Sequence, residues 1–387
     1  MIGIEELEFL LTEEAQASIE QNIDRNPLDI ALAKGVVNAA VVATQVKRLQ
    51  RAKRKLPSYY ACRAILPPRA YEQSSSEECA LRKPLSGGSA LDLTCGLGVD
   101  SFALAHHFER VVSIERNDVV ASVARENFKR LGIENVEVVT TSAEEYLASC
   151  NDHFDWCFVD PDRRGASGEK MVRLEDCSPN IVALMPQILA KADRVCVKCS
   201  PLFDVEEAFR LFGYCRVECV SLGGEAKEVN IYIDGQPPRI AAVAVGVGEV
   251  EYPYEERKAD FSSGVDTLDD YRYLVLPDVA LQHTRLVARA LRGVCDVWSN
   301  GGVGLAQTLP QGAMGRVAEI VAIHRADKSL KRLLRGRKVE IYRRDFPISN
   351  GEICRRFGCR EGGVERWCFT RIGGVEYAVE MGEFITI

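Results

Sequence analysis

LDLTCGLGVDS, residues 91–101, decides the fold class of this 387-residue chain. A β-prone apolar segment ends at Asp92, and two glycines, Gly96 and Gly98, precede a helix-like segment. Glycines let a loop turn tightly, so that its backbone N–H groups and the next helix N-terminus can approach a ligand. A dinucleotide fingerprint would have another glycine where Ser101 stands, which argues against nicotinamide binding.

Short β-rich segments alternate with helix-like segments around this stretch. The β-rich segments are ALDL, VVSIE, VEVVTT, WCFVD, RVCVKCS, RVECVSL, VNIYI and IAAVAVG. The helix-like segments between the first five are SFALAHHFE, VVASVARENFKRLG, AEEYLASC and NIVALMPQILAKA. Such alternation predicts βαβ units, and hence a mostly parallel α/β sheet with helices on both faces. The last part, CRVECVSLGGEAKEVNIYID, predicts an antiparallel closure of that sheet.

Composition indicates a globular protein with a sizeable core, because 47% of residues are hydrophobic and 27% are charged. At about 150 residues per domain, the length predicts two or three domains. No apolar run approaches the ~20 residues of a membrane span. The acidic, helix-like start MIGIEELEFLLTEEAQ differs from a signal peptide, so we expect a cytoplasmic protein with no membrane partner.

The cysteines predict reduced thiols rather than a metal site. The chain has 14 cysteines without the spacing of a disulfide scaffold. Cys196 and Cys199 form a CxxC pair inside a strand-like segment, and no second pair stands at zinc-finger spacing. We therefore expect no bound metal and interpret these thiols as small buried hydrophobes.

Positive charge is concentrated in two runs although the net charge is −7. Residues 47–55 (KRLQRAKRK) hold six basic and no acidic groups, and residues 325–344 hold nine basic and two acidic groups. The runs together carry +13, which leaves −20 for the rest of the chain. Each run alone is equally well explained as a solvated helix face, whereas both together favour binding of a polyanion.

Polar side chains follow the later predicted strands as well. Glu115 ends the second strand, 23 residues after Asp92, residues 142–144 follow the third, and Asp160 follows the fourth. Each alone is typical of a helix N-cap or a solvated loop end. Because ligands bind across the carboxyl ends of parallel strands, the four positions together predict one cleft.

These residues resemble the class I S-adenosylmethionine-dependent methyltransferases, whose first motif matches DLTCGLG except that Thr94 replaces a usual glycine. The resemblance implies a Rossmann-like, mostly parallel seven-stranded sheet with an antiparallel closing strand, and S-adenosyl-L-methionine as cofactor. It implies that Glu115 binds the ribose, that residues 142–144 border the adenine and that Asp160 lies beside the methyl group. The implied cofactor-binding residues are Asp92, Thr94, Gly96, Gly98, Glu115, Ser142, Ala143, Glu144, Asp160 and, at a preceding helix start, Ser75.

Further segments resemble a narrower family, the bacterial methyltransferases with a THUMP-like C-terminal domain and a small ferredoxin-like module. The segments are EQSSSE, DLTCGLGVDS, VDPDRR, VKCSP and DFPIS. The implied domains are an N-terminal helical region (1–72), a methyltransferase domain (73–250), a connector with the ferredoxin-like module (251–314) and a THUMP-like α+β domain (315–387). In related enzymes such modules deliver structured RNA, so the resemblance implies methylation of a base in rRNA or tRNA.

The reaction centre is predicted at VDPDRRG, residues 159–165. Amino-methylating enzymes carry Asp-Pro-Pro-Tyr here, whose acid accepts hydrogen bonds from an exocyclic amine while the aromatic stacks on a flipped base. This chain has no such aromatic, although arginine planes can also stack on bases. The expected catalytic residues are Asp160, Pro161, Asp162 and Lys198, and the expected substrate-binding residues are Arg163, Arg164, Ser200 and Pro201. An Asp162–arginine ion pair that only holds the loop is an alternative.

Three other functions remain open from the sequence. Cys199 at the end of the fifth strand is a candidate nucleophile towards C6 of a pyrimidine before methylation at C5. An RNA-binding protein with a vestigial cofactor pocket would need no catalytic residues, but the intact acidic series argues against it. A small-molecule methyltransferase fits the cleft and leaves both basic runs unexplained.

Overall fold

The computed structural model describes residues 3–162, 173–262 and 268–386. The chain forms two compact units. Unit 1 comprises Met1–Cys199 and Ile231–Gly235, and unit 2 comprises Ser200–Asn230 and Gln236–Ile387. No helix in the described part of the chain is both long and apolar enough to cross a membrane.

Unit 1 begins with seven helices. These are α1 Ile4–Leu10, α2 Glu13–Asn22, α3 Pro27–Ala31, α4 Ala39–Lys55, α5 Pro57–Ala61, α6 Pro68–Gln73 and α7 Glu77–Leu81. Helix α3 begins at Pro27, because the fixed backbone angle of proline suits a first helical turn. The apolar faces of these helices share one core with the later helices of unit 1. Asn127, in the later helix Asp118–Leu131, also links that helix to the segment between α5 and α6. Its side chain accepts from the Ile65 N–H (2.8 Å) and donates to the Ile65 carbonyl (2.9 Å).

The rest of unit 1 is a parallel sheet with connecting helices. Its elements are β1 Gly87–Asp92, α8 Val99–Ala105, β2 Phe108–Glu115, α9 Asp118–Leu131, β3 Val136–Thr140, α10 Ala143–Ser149, β4 Phe154–Val159, α11 Ile181–Leu189 and β5 Ala192–Cys199. The order β3-β2-β1-β4-β5 is parallel at every pairing. The carboxyl ends of these strands therefore meet at one edge of the sheet.

Unit 2 holds the remaining elements. They are α12 Val205–Phe212, β6 Arg216–Leu222, β7 Glu225–Ile233 (whose last three residues belong to unit 1), β8 Arg239–Val245, β9 Gly248–Pro253, β10 Tyr273–Pro277, α13 Val279–His283, α14 Val287–Ala290, β11 Asp296–Val297, β12 Gly304–Ala306, β13 Gly315–Arg325, α15 Lys328–Leu334, β14 Lys338–Arg343, α16 Asn350–Phe357, β15 Arg360–Glu361, β16 Glu365–Ile372 and β17 Val375–Ile385. Strands β10 to β17 form an eight-stranded sheet of order β11-β12-β10-β13-β17-β16-β14-β15.

All eight predicted strand segments form strands, β1 to β8. The prediction of seven strands in the first sheet was too low, because β8 pairs in parallel with β6 and β9 pairs antiparallel with β8. In unit 2, β10 pairs with β13, so strands on both sides of the predicted boundary at residue 315 share one sheet. The four predicted domains remain a prediction.

Candidate functional site

The loop between β1 and α8 has a backbone that two glycines permit. Gly96 has φ +54° and Gly98 has φ +86°. A Cβ at Gly98 would lie 2.6 Å from a ring carbon of Phe128, so no side chain fits there. Among residues 3–162, 173–262 and 268–386, a Cβ at Gly96 would meet only the Thr94 carbonyl oxygen, at 3.9 Å. The backbone of this loop is therefore fixed at Gly98 and open to a ligand at Gly96.

Asp92 supports this loop from inside the protein. Its side chain is fully buried at the end of β1. It accepts hydrogen bonds from the Thr94 backbone N–H (2.9 Å) and the Ser101 hydroxyl (2.5 Å). Burial raises the pKa of Asp92 to about 7, against the lowering effect of these two bonds. Through these two bonds Asp92 holds the loop in place, and its role in cofactor binding stays a prediction.

Glu115 lies at the end of β2, next to the glycine loop. One carboxylate oxygen accepts from the Gly96 N–H (3.0 Å) and the other from the Asn117 N–H (2.8 Å). The side chain is half-buried. Because each carboxylate oxygen has a second lone pair, both oxygens can still accept from a pair of ligand hydroxyls. The hydrogen bonds from the Gly96 and Asn117 N–H groups hold the carboxylate in the position from which it can accept hydrogen bonds from such hydroxyls.

The predicted adenine-border residues lie at the start of α10. Ser142 caps this helix, and its hydroxyl accepts from the Glu145 N–H at 3.2 Å. Ala143 is buried and Glu144 is exposed in the first turn. This segment follows β3, which pairs in parallel with β2 up to Glu115, opposite Thr140. It therefore lies at the same edge of the sheet, with the Ser142 hydroxyl used for capping.

Asp160 and Lys198 form an ion pair between the ends of β4 and β5. The Asp160 backbone N–H donates to the Thr94 hydroxyl at 2.7 Å, which ties the end of β4 to the glycine loop. Lys198 is only 8% exposed, whereas Asp160 is half-buried. The pair thus holds one carboxylate at the carboxyl edge of the parallel sheet, next to a buried ammonium.

A buried charge network continues behind this pair. Asp100, in the first turn of α8, contacts Lys83 Nζ at 2.8 Å and lies 4.0 Å from Lys198 Nζ. The Ser75 hydroxyl donates to the Asp100 carboxylate at 2.6 Å. Burial alone would raise the pKa of Asp100, but the positive charges of Lys83 and Lys198 outweigh it and lower the pKa to about 2. Ser75, predicted to bind cofactor, is 7% exposed and serves this network.

Lys83 and Asp100 did not emerge from the sequence as site residues. Asp100 resembles an ordinary acid in a first helical turn, and Lys83 precedes a proline in a connector. Only their burial identifies them, because charged side chains are seldom buried unless they are paired.

The loop after Asp160 is held by an arginine from another part of the chain. Asp162 makes an antiparallel bridge with Ser178, and its carboxylate pairs with Arg69 of α6 at 2.9 Å. Gln73 also donates to it, at 3.4 Å. Pro161 is buried. The predicted ion pair of Asp162 therefore exists with Arg69 as partner, while Arg163 and Arg164 lie outside the described residues.

Two further predicted residues belong to unit 2. Ser200 and Pro201 follow β5, and both are half-buried. The Ser200 hydroxyl accepts from the Leu202 N–H at 3.1 Å, as expected of a turn. Cys199, the alternative nucleophile, is 4% exposed at the end of β5. The structure describes no group of three or more histidine, cysteine or acidic side chains placed to hold a metal ion in residues 3–162, 173–262 and 268–386.

Comparison with known proteins identifies two domains by family. Residues 84–221 match a family model described as a methyltransferase domain, and residues 315–381 match one described as THUMP domain-like. A crystal structure of a protein from Porphyromonas gingivalis W83 assigned as a methyltransferase superimposes with a TM-score of 0.78 at 23% identity, over 98% of each chain. This likeness concerns the fold, and together with the methyltransferase match it confirms the predicted Rossmann-like fold class.

Curated relatives match over a shorter stretch. A tRNA/tmRNA (uracil-C(5))-methyltransferase of Photorhabdus laumondii is 33% identical over 112 residues, which are 25% of this chain and 30% of the relative. A protein of Protochlamydia amoebophila described as an uncharacterized RNA methyltransferase is 29% identical over 154 residues, 36% of this chain and 35% of the relative. The chain thus spans about a third of the length of the curated relatives it matches.

Proposed function

Because the chain carries a methyltransferase domain and a THUMP-like domain, we propose that it is an S-adenosylmethionine-dependent methyltransferase that acts on RNA. The observation that carries this proposal is the Asp160–Lys198 pair at the same sheet edge as Glu115 and the glycine loop. A cofactor site and a fixed carboxylate then share one cleft, which is the arrangement that methyl transfer to a bound acceptor needs.

The residues at this edge fit the cofactor. Glu115 would bind the two ribose hydroxyls with the lone pairs that its backbone bonds leave available. The backbone at Gly96 would lie against the cofactor, since no side chain of the described residues lies within 4 Å of a Cβ placed there. The segment from Ser142 to Glu144 would border the adenine. When bound, S-adenosylmethionine supplies a methyl group on a sulfonium, which is already activated for transfer.

The protein then has mainly to position the acceptor. The Asp160 carboxylate would accept a hydrogen bond from the acceptor group and so orient its lone pair. Lys198 keeps the Asp160 carboxylate in one position. Pro161, which follows Asp160, restricts the backbone of the loop. Lys83 and Asp100 hold Lys198 from behind, so they are positioning residues.

RNA is supported as substrate class by the relatives and by charge. The Photorhabdus relative is named for tRNA and tmRNA, and the second domain of this chain is THUMP-like. Both basic runs suit a phosphate backbone. The uracil-C5 chemistry of that relative keeps Cys199 as a second candidate residue, although its burial in β5 opposes direct attack on a base.

The test is transfer of radiolabelled methyl groups to RNA. Total RNA from a strain that lacks this gene should be labelled by the purified protein, whereas RNA from the parent strain, already modified, should not. Asp160→Asn should reduce the initial rate at least 100-fold, because an amide offers a poorer and differently oriented acceptor. Equal labelling of the two RNAs, or labelling of neither, would refute RNA as the substrate.

Calorimetry with S-adenosylhomocysteine separates the cofactor from the substrate. The intact protein should bind it, and Glu115→Ala should weaken binding at least tenfold because the ribose contacts are lost. Asp160→Asn should bind it with nearly unchanged affinity. Absence of binding by the intact protein would leave only an RNA-binding role, whereas binding without RNA labelling would favour a small-molecule acceptor.

A further inference from the structure

One face of α4 is positively charged along its whole second half. Arg48, Arg51 and Lys55 follow one another at spacings of three and four residues, so their side chains lie on the same side of the helix. Buried apolar residues occupy the opposite side. Lys47 and Arg54 are exposed next to this row. We call Arg48, Arg51 and Lys55 the α4 stripe.

The two arginines of the stripe are not neutralised by nearby acids. Within the described ranges, Arg48 and Arg51 make no ion pair, and Arg48 donates only to the Thr44 carbonyl of its own helix at 3.0 Å. Burial lowers the pKa of Arg48, Glu72 raises it and Arg51 lowers it, so both groups lie near Arg48. Glu72 thus places one negative charge beside the three positive charges of the stripe. Such a row retains its attraction for an anion.

The stripe is connected to the reaction centre through α6. Lys55 Nζ donates to the Tyr71 carbonyl at 2.7 Å and lies 4.9 Å from the centre of its ring. In the same helix, Arg69 pairs with Asp162 and Gln73 donates to it. Asp162 follows Asp160 by two residues. Helix α6 therefore contacts the stripe with one residue and Asp162, in the loop after Asp160, with two others.

Helix α4 is also fixed relative to the methyltransferase sheet. Its apolar face shares a core with α8 and α9, the helices on either side of β2. Gln45 of α4 donates to the Ala64 carbonyl at 2.7 Å and accepts from the Leu66 N–H at 3.1 Å. A phosphate bound on the stripe would consequently be held at a constant distance from Asp160.

We propose that the α4 stripe binds the sugar–phosphate backbone of the RNA next to the base being methylated. This rests on the proposed function and makes the N-terminal helices part of the substrate site. The distance along the helix from Arg48 to Lys55 is roughly 10 Å at 1.5 Å per residue. The stripe therefore offers several cations along this length to the phosphate oxygens of an RNA strand. Arginine forks suit such oxygens by forming two hydrogen bonds at once.

The test compares two charge-reversal variants of the full chain. Arg48→Glu with Arg51→Glu changes the stripe, and Lys34→Glu with Lys129→Glu changes two exposed lysines of unit 1 outside it by the same net charge. Binding of labelled total RNA from the gene-deletion strain is measured between about 50 and 200 mM salt. Over this range, affinity that depends on phosphate contacts should fall steeply. The stripe variant should bind at least tenfold more weakly, and its salt slope should fall by about 1.5. The lysine control should match the wild type.

Methylation kinetics provide the second readout. The stripe variant should raise the KM for RNA at least tenfold, leave kcat within about twofold and leave the affinity for S-adenosylhomocysteine unchanged. Thermal unfolding establishes that both variants are folded, and Arg48→Gln with Arg51→Gln gives a milder version of the same loss.

Wild-type affinity in the stripe variant, or an equal loss in the lysine control, would overturn the proposal. So would a stripe variant that loses binding to phosphatidylserine vesicles while it retains RNA binding. If the wild type itself binds S-adenosylhomocysteine but no RNA, the proposed RNA substrate fails rather than the placement of the stripe.

Discussion

Two buried aspartates at neighbouring positions in the site have opposite electrostatics. Burial disfavours the charged form of Asp92 more strongly than the surrounding hydroxyl and backbone donors stabilise it. The pKa of Asp92 therefore rises to about 7. Asp100 faces two lysines, whose charges exceed the cost of burial and lower its pKa to about 2. The nearest charged groups, and not burial alone, decide which carboxylate is ionised near neutral pH.

Asp92 should make stability depend on pH, and Asp92→Asn should remove that dependence. Below the ordinary carboxyl pKa of 3.8 the group is neutral in the folded and unfolded chains alike. As pH rises from there to about 7, only the unfolded chain releases the proton, so the wild type loses stability by up to roughly 4 kcal/mol. The asparagine side chain of the variant has no proton to release, so the variant should gain on the wild type across this window.

Urea unfolding at several pH values between 4 and 8 measures this difference. Asp24→Asn, at an exposed position, is the control and should follow the wild-type profile. Parallel profiles for Asp92→Asn and the wild type would show that Asp92 is ionised in the folded protein at all these pH values.

At the scale of elements, the glycine loop shows which local features a sequence specifies. Its glycines, the strand before it and the helix after it were all predicted, because backbone conformation and periodicity are local properties. The sequence does not show why Gly98 in particular is required. That reason is the ring of Phe128 in α9, which lies against it.

Gly98→Ala should therefore cost more than the same change at Gly132, which ends α9. Both glycines have positive φ, +86° and +69°, so each alanine pays about 1 kcal/mol of backbone strain. A Cβ at position 132 meets no atom of the described residues within 4 Å, whereas a Cβ at position 98 collides with Phe128. Displacing a packed ring typically adds about 1–3 kcal/mol.

Chemical unfolding and S-adenosylhomocysteine affinity distinguish the two variants. Gly98→Ala should lose both stability and affinity, and Gly132→Ala should lose about 1 kcal/mol of stability only. Equal effects at the two positions would mean that Phe128 moves aside at little cost.

At the scale of the whole molecule, the two basic runs lie in different units. The first forms the end of α4 in unit 1, and the second covers α15 and β14 in unit 2. Lys328 and Lys331 of α15 are exposed, and neither makes an ion pair within the described part of the chain. This surface belongs to the THUMP-like region, which is matched by family over residues 315–381.

Charge reversal of Lys328 and Lys331 should weaken binding of structured RNA severalfold and lower its salt slope, if the THUMP-like domain contacts the phosphate backbone as we expect. The KM for a short single-stranded RNA that carries only the methylation site should change much less. An unchanged salt slope with full-length RNA would identify this run as a solvated helix face.

The sequence by itself determined the order of strands β1 to β8 and of the helices between the first five of them, the glycine loop and the acidic series Asp92, Glu115 and Asp160. These depend on periodicity, on glycine backbone freedom and on the rule that parallel strands end at one edge, all of which are visible along the chain.

Only the tertiary structure decided which charged groups meet. It pairs Asp162 with Arg69, Asp160 with Lys198, and Asp100 with Lys83, and it turns Asp92 and Ser75 inward to support the site. It also places α6 in contact with both the α4 stripe and the loop after Asp160. The sequence does not show which charged residue pairs with which, because pairing depends on distance and burial after folding.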